Sequence, residues 1–390
     1  MSARVDLAWP DADGRLRHVT VAASEIGPIV KSVALSGDEL GWPGLTGTVH
    51  PAPDPVGLPS PWRPAGDVRL CRLVDRYGTP ATSCSRSVLG RAADRAASFG
   101  AEPVMAAEVE FLLRREPGGE PVYPYIENYG IVAGAPYEPI LGAIRDLEFG
   151  PVRVTASNPE YGPGQFEVNL SHGPALAAAD AVALLRSHAE ELARTHGLAA
   201  DFAAKPGDEL SGNGLHVHQS LWSQRRNRFW SNGLSAEARS YLGGLLGSLS
   251  ELAAIGSPSE DAYLRREVGS FCPTVVSWDG DNRTVAIRAL ADSESATRLE
   301  QRDAAADANP YLVFAGQIHA GLDGVDDGAD PGPRATGNAY VRDDLPKIPT
   351  GLGESLRLLE SSDLAIRVLG ADAHASFCVA LGDRVGSTVR

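Results

Sequence analysis

NPEYGPGQFEVNL (158–170) and GNGLHVHQSLW (212–222) are the stretches on which the reading of the chain turns. Each contains an alternating run, and in an extended strand alternate side chains share a face. Gln165 and Glu167 therefore project together, as do His216 and His218. Two such strands set opposite one another can hold a divalent cation, whereas either one alone reads more simply as a solvated polar face. AEVEF (107–111) adds Glu108 and Glu110, which stand on a third predicted strand about 7 Å apart along it. That segment by itself reads as a half-exposed strand. With Glu160, Glu167, His216 and Glu300 the candidates comprise five carboxylates and one imidazole. An oxygen-rich set of this size suits two hard cations, with magnesium or manganese ahead of zinc.

Arginine is the second theme: Arg265 in DAYLRRE, Arg283 and Arg288 in DNRTVAIRAL, Arg298 and Arg302 in TRLEQR. A guanidinium fork grips carboxylate or phosphate through two hydrogen bonds, although any one of these arginines could instead sit in a surface ion pair. The alternation Arg298, Glu300, Arg302 is more telling, because a strand would aim all three at one place. An anion flanked by two cations is costly to assemble unless charged ligands bind there.

The chain has 390 residues, 43% of them hydrophobic, and a formal charge of −15, which argues against broad nucleic-acid binding. The N-terminus lacks the basic start and apolar run of a secretory signal, and no stretch nears eighteen uninterrupted apolar residues, so a cytoplasmic enzyme that avoids membranes is expected. Cys71, Cys84, Cys272 and Cys378 are scattered without paired spacing, which favours reduced thiols.

Residues 4–21 read as a hairpin with an Asp-Gly turn, and residues 51–64 hold six prolines, too many for a regular element, so a surface loop is expected there. A strand follows in VRLCRLV, and then a helix over 84–100 with serines at its start and Gly100 at its end. The domain boundary is placed near residue 80, giving units 1–80 and 81–390. The second unit alternates strands and helices in an α+β manner, without a regular βαβ rhythm. It holds a strand over 105–113, a helix over 175–196 closed by Gly197, a second long helix over 303–322, a solvated acidic loop over 323–333, and two short helices over 351–370.

These residues carry a family resemblance that extends over nearly the whole chain. AEVEF, EYGPGQFEVNL, GNGLHVHQSL, DNRTVAIR and RLEQRDAAADANPYL occur in the order in which they occur in glutamine synthetases and their γ-glutamylamine-forming relatives, and AGLDGV follows. The sequence resembles that family. The resemblance implies an N-terminal β-grasp domain and a catalytic domain built on an antiparallel sheet with flanking helices. It implies a first metal on Glu110, Glu160 and Glu167, and a second on Glu108, His216 and Glu300. It assigns Arg265 and Arg302 to the carboxylates of glutamate, with Gly212 near its amino-acid end. Arg283, Arg288 and Arg298 would face the phosphates of ATP, Ser220 would lie near the nucleotide, and His218 is a further candidate there. All six metal positions match the pattern.

The same resemblance implies that ATP phosphorylates glutamate and that an amine then displaces phosphate, in a ring-forming homo-oligomer such as a dodecamer, with sites between subunits. Ammonia-using members typically carry a flap glutamate in a Tyr-Glu-Ala-Pro segment, where this chain has Ser270, Phe271, Cys272 and Pro273. Phenylalanine accepts no proton but can wall off water and touch an apolar amine tail; a core aromatic in a strand is the other reading of Phe271. Glu267 is a second candidate for the flap role, and Asp38 is a weak match to the family's ammonium-serving loop. The chain also runs short around residues 115–150, and Tyr340 reads as structural. The expected activity is ligation of glutamate to an organic amine, with Phe271 in the pocket. The alternatives are an ammonia-using glutamine synthetase and a silent metabolite-binding regulator.

Overall fold

The structure is a computed structural model that describes residues 4–60, 62 and 66–387. Strands β1 (Arg4–Pro10), β2 (Leu16–Ala22), β3 (His50–Pro53), β4 (Leu58–Pro59) and β5 (Asp67–Val74) form a five-stranded sheet in the order β2-β1-β5-β3, with β4 also on β5. β1 and β2 are the expected hairpin, and β1 and β5 run parallel, which gives the expected small β-grasp-like sheet. The hairpin turn is packed against the rest of the chain. A Cβ on Gly14, at φ +75°, would lie 2.8 Å from Pro310 Cδ, and Asn309 Nδ2 donates to the Ala12 carbonyl at 2.9 Å.

The proline run departs from the expected loop. Pro51, Pro53 and Pro59 lie in β3 and β4, both paired with β5, while Pro61 and Pro64 fall outside the described residues. Proline removes a ladder donor but is tolerated on edge strands, and both are short edge strands.

The larger sheet has eleven strands: β6 (Glu102–Arg114), β7 (Glu148–Phe149), β8 (Val152–Pro159), β9 (Gln165–Leu170), β10 (Gly173–Pro174), β11 (Ala199–Asp201), β12 (Leu215–Ser223), β13 (Arg226–Asn227), β14 (Trp278–Asp279), β15 (Ile287–Leu290) and β16 (Arg298–Gln301). Its path is β14-β15-β16-β12-β6-β9-β8-β7, and every pairing except β14 with β15 is antiparallel. Long helices at Ser85–Ser98, Ala175–Thr195, Ala236–Ser248 and Pro310–Asp327 accompany it. One contiguous apolar core runs from Val5 and Leu7 of the small sheet through the large sheet to Phe377 and Leu381.

Several boundaries move. The second long helix starts at Pro310 rather than 303, because Asn309 caps it, accepting from Tyr311 N at 3.0 Å, and Pro310 occupies the first turn. It runs on through Asp327, into the expected acidic loop, and stops at Gly328 with φ +61°. The helix over 85–98 has Cys84 rather than a serine at its N-cap, with no side-chain cap. Leu352–Glu360 and Asp363–Leu369 are the two short C-terminal helices, and a third, Ala371–Gly382, follows them. All four cysteines are free and buried. Among the described residues no single helix is long and apolar enough to cross a membrane.

The helix pair 236–248 and 310–327 braces β12 from behind. Tyr241 Oη donates to Gln219 Oε1 and Gln219 Nε2 to Gln317 Oε1, both at 2.9 Å and buried. Since Gln219 lies between His218 and Ser220, its inward anchor fixes their outward aim. The helices approach closely because glycines meet at the crossing: a Cβ on Gly321 would overlap the Tyr241 ring, and one on Gly244 the Ala320 carbonyl. Gly321→Ala is expected to destabilise by roughly 1–3 kcal/mol, read as a lowered midpoint of urea unfolding at unchanged slope.

Candidate active site

Strand register assembles the candidate residues on one face of the large sheet. Glu108 on β6 lies opposite His216 on β12, and Glu110 lies opposite Glu167 on β9. Glu300 on β16 lies opposite both His218 on β12 and Arg288 on β15. Directly opposed residues share a face, and so do residues two apart on a strand. Four strands thus present Glu167, Glu110, Glu108, His216, His218 and Glu300 as one row.

Within the row two trios bring potential ligand atoms within 4.8 Å of one another: Glu108, His216 and Glu300, and Glu110, Glu167 and His216. The first is the expected second-metal set. The second differs from expectation, because His216 stands in both trios while Glu160 stands outside the tighter one. Glu160 lies at the end of β8, lines the same cavity as Glu110, Glu167 and His216, and accepts from Asn158 Nδ2 at 3.3 Å. Its carboxylate is offset because it follows the strand rather than sitting within its ladder.

Electrostatics divides the carboxylates. Burial acts to raise Glu108, but His216 Nδ1 at 3.1 Å and His218 Nε2 at 3.0 Å hold it well below the usual carboxylate range. Burial likewise acts against Glu300, which is held low by His218, Arg302 and His216; Arg288 and Arg302 each bond it directly. Glu160 and Glu167 have weaker support, from the charge of Arg283 and from a hydrogen bond donated by Asn169 respectively. Burial, then repulsion from Glu110 and Glu108, pushes Glu160 up to about 7, and burial with Glu108 and Glu110 pushes Glu167 up to about 8. Acids crowded until they keep their protons near neutrality form a donor set that a divalent cation would relieve, so the residues present fit hard-cation binding.

Two cavities flank the row. One of about 340 Å³ is lined by Glu108, His218, Ser220 and Arg298. Arg298 Nε donates to His218 Nδ1 at 3.1 Å, so the proton of His218 sits on Nε2, facing Glu108. The other, about 620 Å³, is lined by Glu110, Glu160, Glu167, His216, Arg265 and Arg302, and also by Gly212, Arg283 and Phe271. Arg265 is buried and donates to the Ala304 carbonyl at 3.0 Å. A Cβ on Gly212 would overlap the Arg265 stem, so this position has room only for glycine unless the arginine moves. Arg288 lines neither cavity; it is buried between Glu300 and Asp281.

Other candidates find definite places. Phe271 is not a core aromatic in a strand: it sits on a loop at φ +60°, half exposed at the mouth of the larger cavity. Glu267 lines that cavity, with Lys205 Nζ at 4.0 Å. Asp38 accepts from Gly44 N within its own loop and lines neither cavity. Tyr340 is structural, its hydroxyl donating to the Cys272 carbonyl at 3.2 Å.

Two supporting residues, Asn169 and Tyr129, escaped the sequence reading. Asn169 donates to Glu167 Oε1 at 2.8 Å, and its place two residues on along QFEVN put it within reach of the alternation argument. Gln165 is turned to structure instead: its amide bonds the Gly212 carbonyl and Asn213 Oδ1, each at 2.9 Å, tying the two signature segments together. Tyr129 lines the larger cavity from a segment with no periodicity to flag it.

The raised acids set a sign for stability. Below about pH 4.5 they are protonated both folded and unfolded; between there and about pH 8 the unfolded chain ionises while the folded one resists, so stability falls as pH rises. With chelator present, Glu167→Gln is therefore expected to gain stability over the parent progressively from pH 5 to 8. Added Mg²⁺ should erase that gain, and thermal melting across the pH series checks both.

The sequence model for the glutamine synthetase catalytic domain matches residues 82–381. The chain is 32% identical over 330 residues to the γ-glutamylethanolamide synthetase GlnA4 of Streptomyces coelicolor, covering 81% of this chain and 71% of that protein. It is 31% identical to the glutamate–isopropylamine ligase of a Pseudomonas species (78% and 70% covered) and 31% identical to the glutamine synthetase of Clostridium saccharobutylicum (81% and 76%). A solved structure described as a GmaS/ADP complex superposes with TM-score 0.89 at 28% identity, covering 98% of this chain and 93% of that one. With its two ordered signatures, its register-built acidic row and these relatives, the chain belongs to the glutamine synthetase family, on its γ-glutamylamine synthetase-like branch, and is an ATP-dependent ligase that forms C–N bonds.

Proposed function

We propose that this glutamate ligase uses an organic amine rather than ammonia. The observation that carries the reading is Phe271, half exposed in the wall of the larger cavity, at the position to which the family resemblance assigns the flap glutamate of ammonia-using members. An aromatic side chain cannot take a proton from ammonium, but it can exclude water from a reactive acyl phosphate and contact a carbon tail.

In this reading the nucleotide lies toward the smaller cavity, near Ser220, His218 and Arg298, and glutamate lies in the larger one. Glu110, Glu160 and Glu167 would hold one divalent cation and Glu108, His216 and Glu300 another; bound there, the cations would neutralise the charge of the transferred phosphoryl group. Arg265 and Arg302 receive the carboxylates of glutamate, and Gly212 leaves room for the Arg265 stem. Arg283, on the cavity wall, and Arg298 meet phosphate oxygens, while Arg288 acts from behind by holding Glu300. The γ-carboxylate takes the terminal phosphoryl group of ATP and ADP leaves. The neutral amine then attacks the γ-carbon, the C–N bond forms, the C–O bond to phosphate breaks, and the amine's proton passes to solvent. Assembly into a ring with sites between subunits belongs to the same reading.

The test is phosphate release from purified protein with glutamate, ATP and Mg²⁺ across a panel of amines. Primary organic amines are expected to support turnover at least tenfold better than ammonia; turnover with ammonia alone would refute the reading. Binding of nucleotide or glutamate without turnover on any amine would favour a regulator. For the site itself, Glu300→Gln keeps a polar group between Arg288 and Arg302, whereas alanine would strand two buried cations. Glu300→Gln should lower kcat by about 10²-fold or more per folded molecule, the folded fraction being read by circular dichroism because the neutral amide leaves Arg288 and Arg302 uncompensated, and parent-like kcat would remove Glu300 from the metal set.

A further inference from the structure

The mouth of the larger cavity has an apolar lining that packing does not explain. Ile126, Tyr129, Tyr161, Val268 and Phe271 come from three separate segments, all line this one cavity, and each is 45–75% exposed. Singly exposed apolar residues are ordinary, but a convergent set at a cavity mouth marks a binding surface.

The backbone adds an independent observation. Five described non-glycine residues have positive φ. Gln224 and Arg225 form the two-residue turn between β12 and β13, and Asn232 precedes Gly233 in another turn, where such angles are usual. The remaining two, Tyr129 at φ 57° and Phe271 at φ 60°, are aromatic residues, for which the left-handed region is unfavourable, and both line this cavity. Each is held by its surroundings. Tyr129 N donates to the Pro159 carbonyl at 3.0 Å, which sets that ring beside Glu160. The Ser270 hydroxyl lies 2.7 Å from the carbonyls of both Arg265 and Glu267 and donates its one proton between them, and Tyr340 donates to the carbonyl of Cys272, so Phe271 is fixed from both sides. Strained backbone that its neighbours enforce at a cavity mouth points to a ligand for the rings so placed.

Building on the organic-amine reading, we propose that the acceptor is a primary monoamine with an apolar tail of ring or branched-alkyl size, lodged against Tyr129 and Phe271 and rimmed by Ile126, Tyr161 and Val268. At about 620 Å³ the cavity is within the roughly 300–1,000 Å³ typical of small-molecule sites, which leaves room for such a tail beside glutamate. The rim acids do not favour a diamine. Glu267 faces Lys205 at 4.0 Å, and Asp208 and Glu209 are exposed to water, where an ion pair adds little.

The full-length protein with glutamate, ATP and Mg²⁺ is assayed by phosphate release with ammonia, methylamine, ethanolamine, n-butylamine, benzylamine and 1,4-diaminobutane. The expected kcat/KM rises about fourfold per methylene from methylamine to n-butylamine, the factor for burying one CH₂. Benzylamine should exceed ethanolamine at least tenfold, and 1,4-diaminobutane should fall below n-butylamine. In the double variant Ile126→Ser, Val268→Ser the ratio of kcat/KM for benzylamine to that for methylamine should drop at least fivefold, mainly through KM; because it is a ratio, loss of folded protein does not mimic it. A flat series, a preferred diamine, or an unchanged ratio in the variant would overturn the tail proposal while leaving the organic-amine reading standing. Turnover with ammonia alone would overturn both.

Discussion

Four carboxylates held on one face of one sheet, with Glu160 beside them at the end of β8, repel each other, and the rest of the site follows from how that repulsion is met. On the Glu108 and Glu300 side it is met within the protein: two imidazoles bond Glu108 and two guanidinium groups bond Glu300. On the Glu160 and Glu167 side it is left open, and those acids resist ionising. A cation would therefore do most on the open side, beside the larger cavity. The paired side is already ordered around His216, which belongs to both trios.

Such a row persists only if the strands cannot slip. One residue of slippage would turn every ligand to the opposite face. The register is fixed from behind, where Tyr241, Gln219 and Gln317 bond in a buried line, and at one end, where Gln165 ties the 158–170 segment to the Gly212 loop. The glycine contacts between the two bracing helices serve the site at a distance, because they let that line close. Asn309 does similar double work, capping the helix that carries Gln317 while gripping the N-terminal hairpin.

Much of this was legible in the sequence. Alternation in QFEVN and HVHQS gave strands and facing side chains, Gly100 and Gly197 marked helix ends, and the ordered motifs carried the family. The misses share a physical origin. Prolines suggested a loop over 51–64, yet edge strands need no donor on their open side. The long helix is expected from 303, yet the chain leaves β16 after Gln301, pairs Ala305 with Gly214 in an isolated bridge and turns at 306–307 before the helix begins. Tyr129 carried no signal because its role rests on a single backbone angle in an irregular segment.

Sequence by itself determined which residues can carry the chemistry, since ligand type and strand period are local properties of the chain. It also determined the family, and hence the class of reaction. Only the tertiary structure decided how those residues are shared. Pairing across strands put His216 between the two trios, set Glu160 aside and buried Arg288 behind Glu300. It also brought Tyr129 and Phe271, 142 positions apart in the chain, to one cavity mouth. Register and loop anchoring are long-range constraints, and no local pattern encodes them.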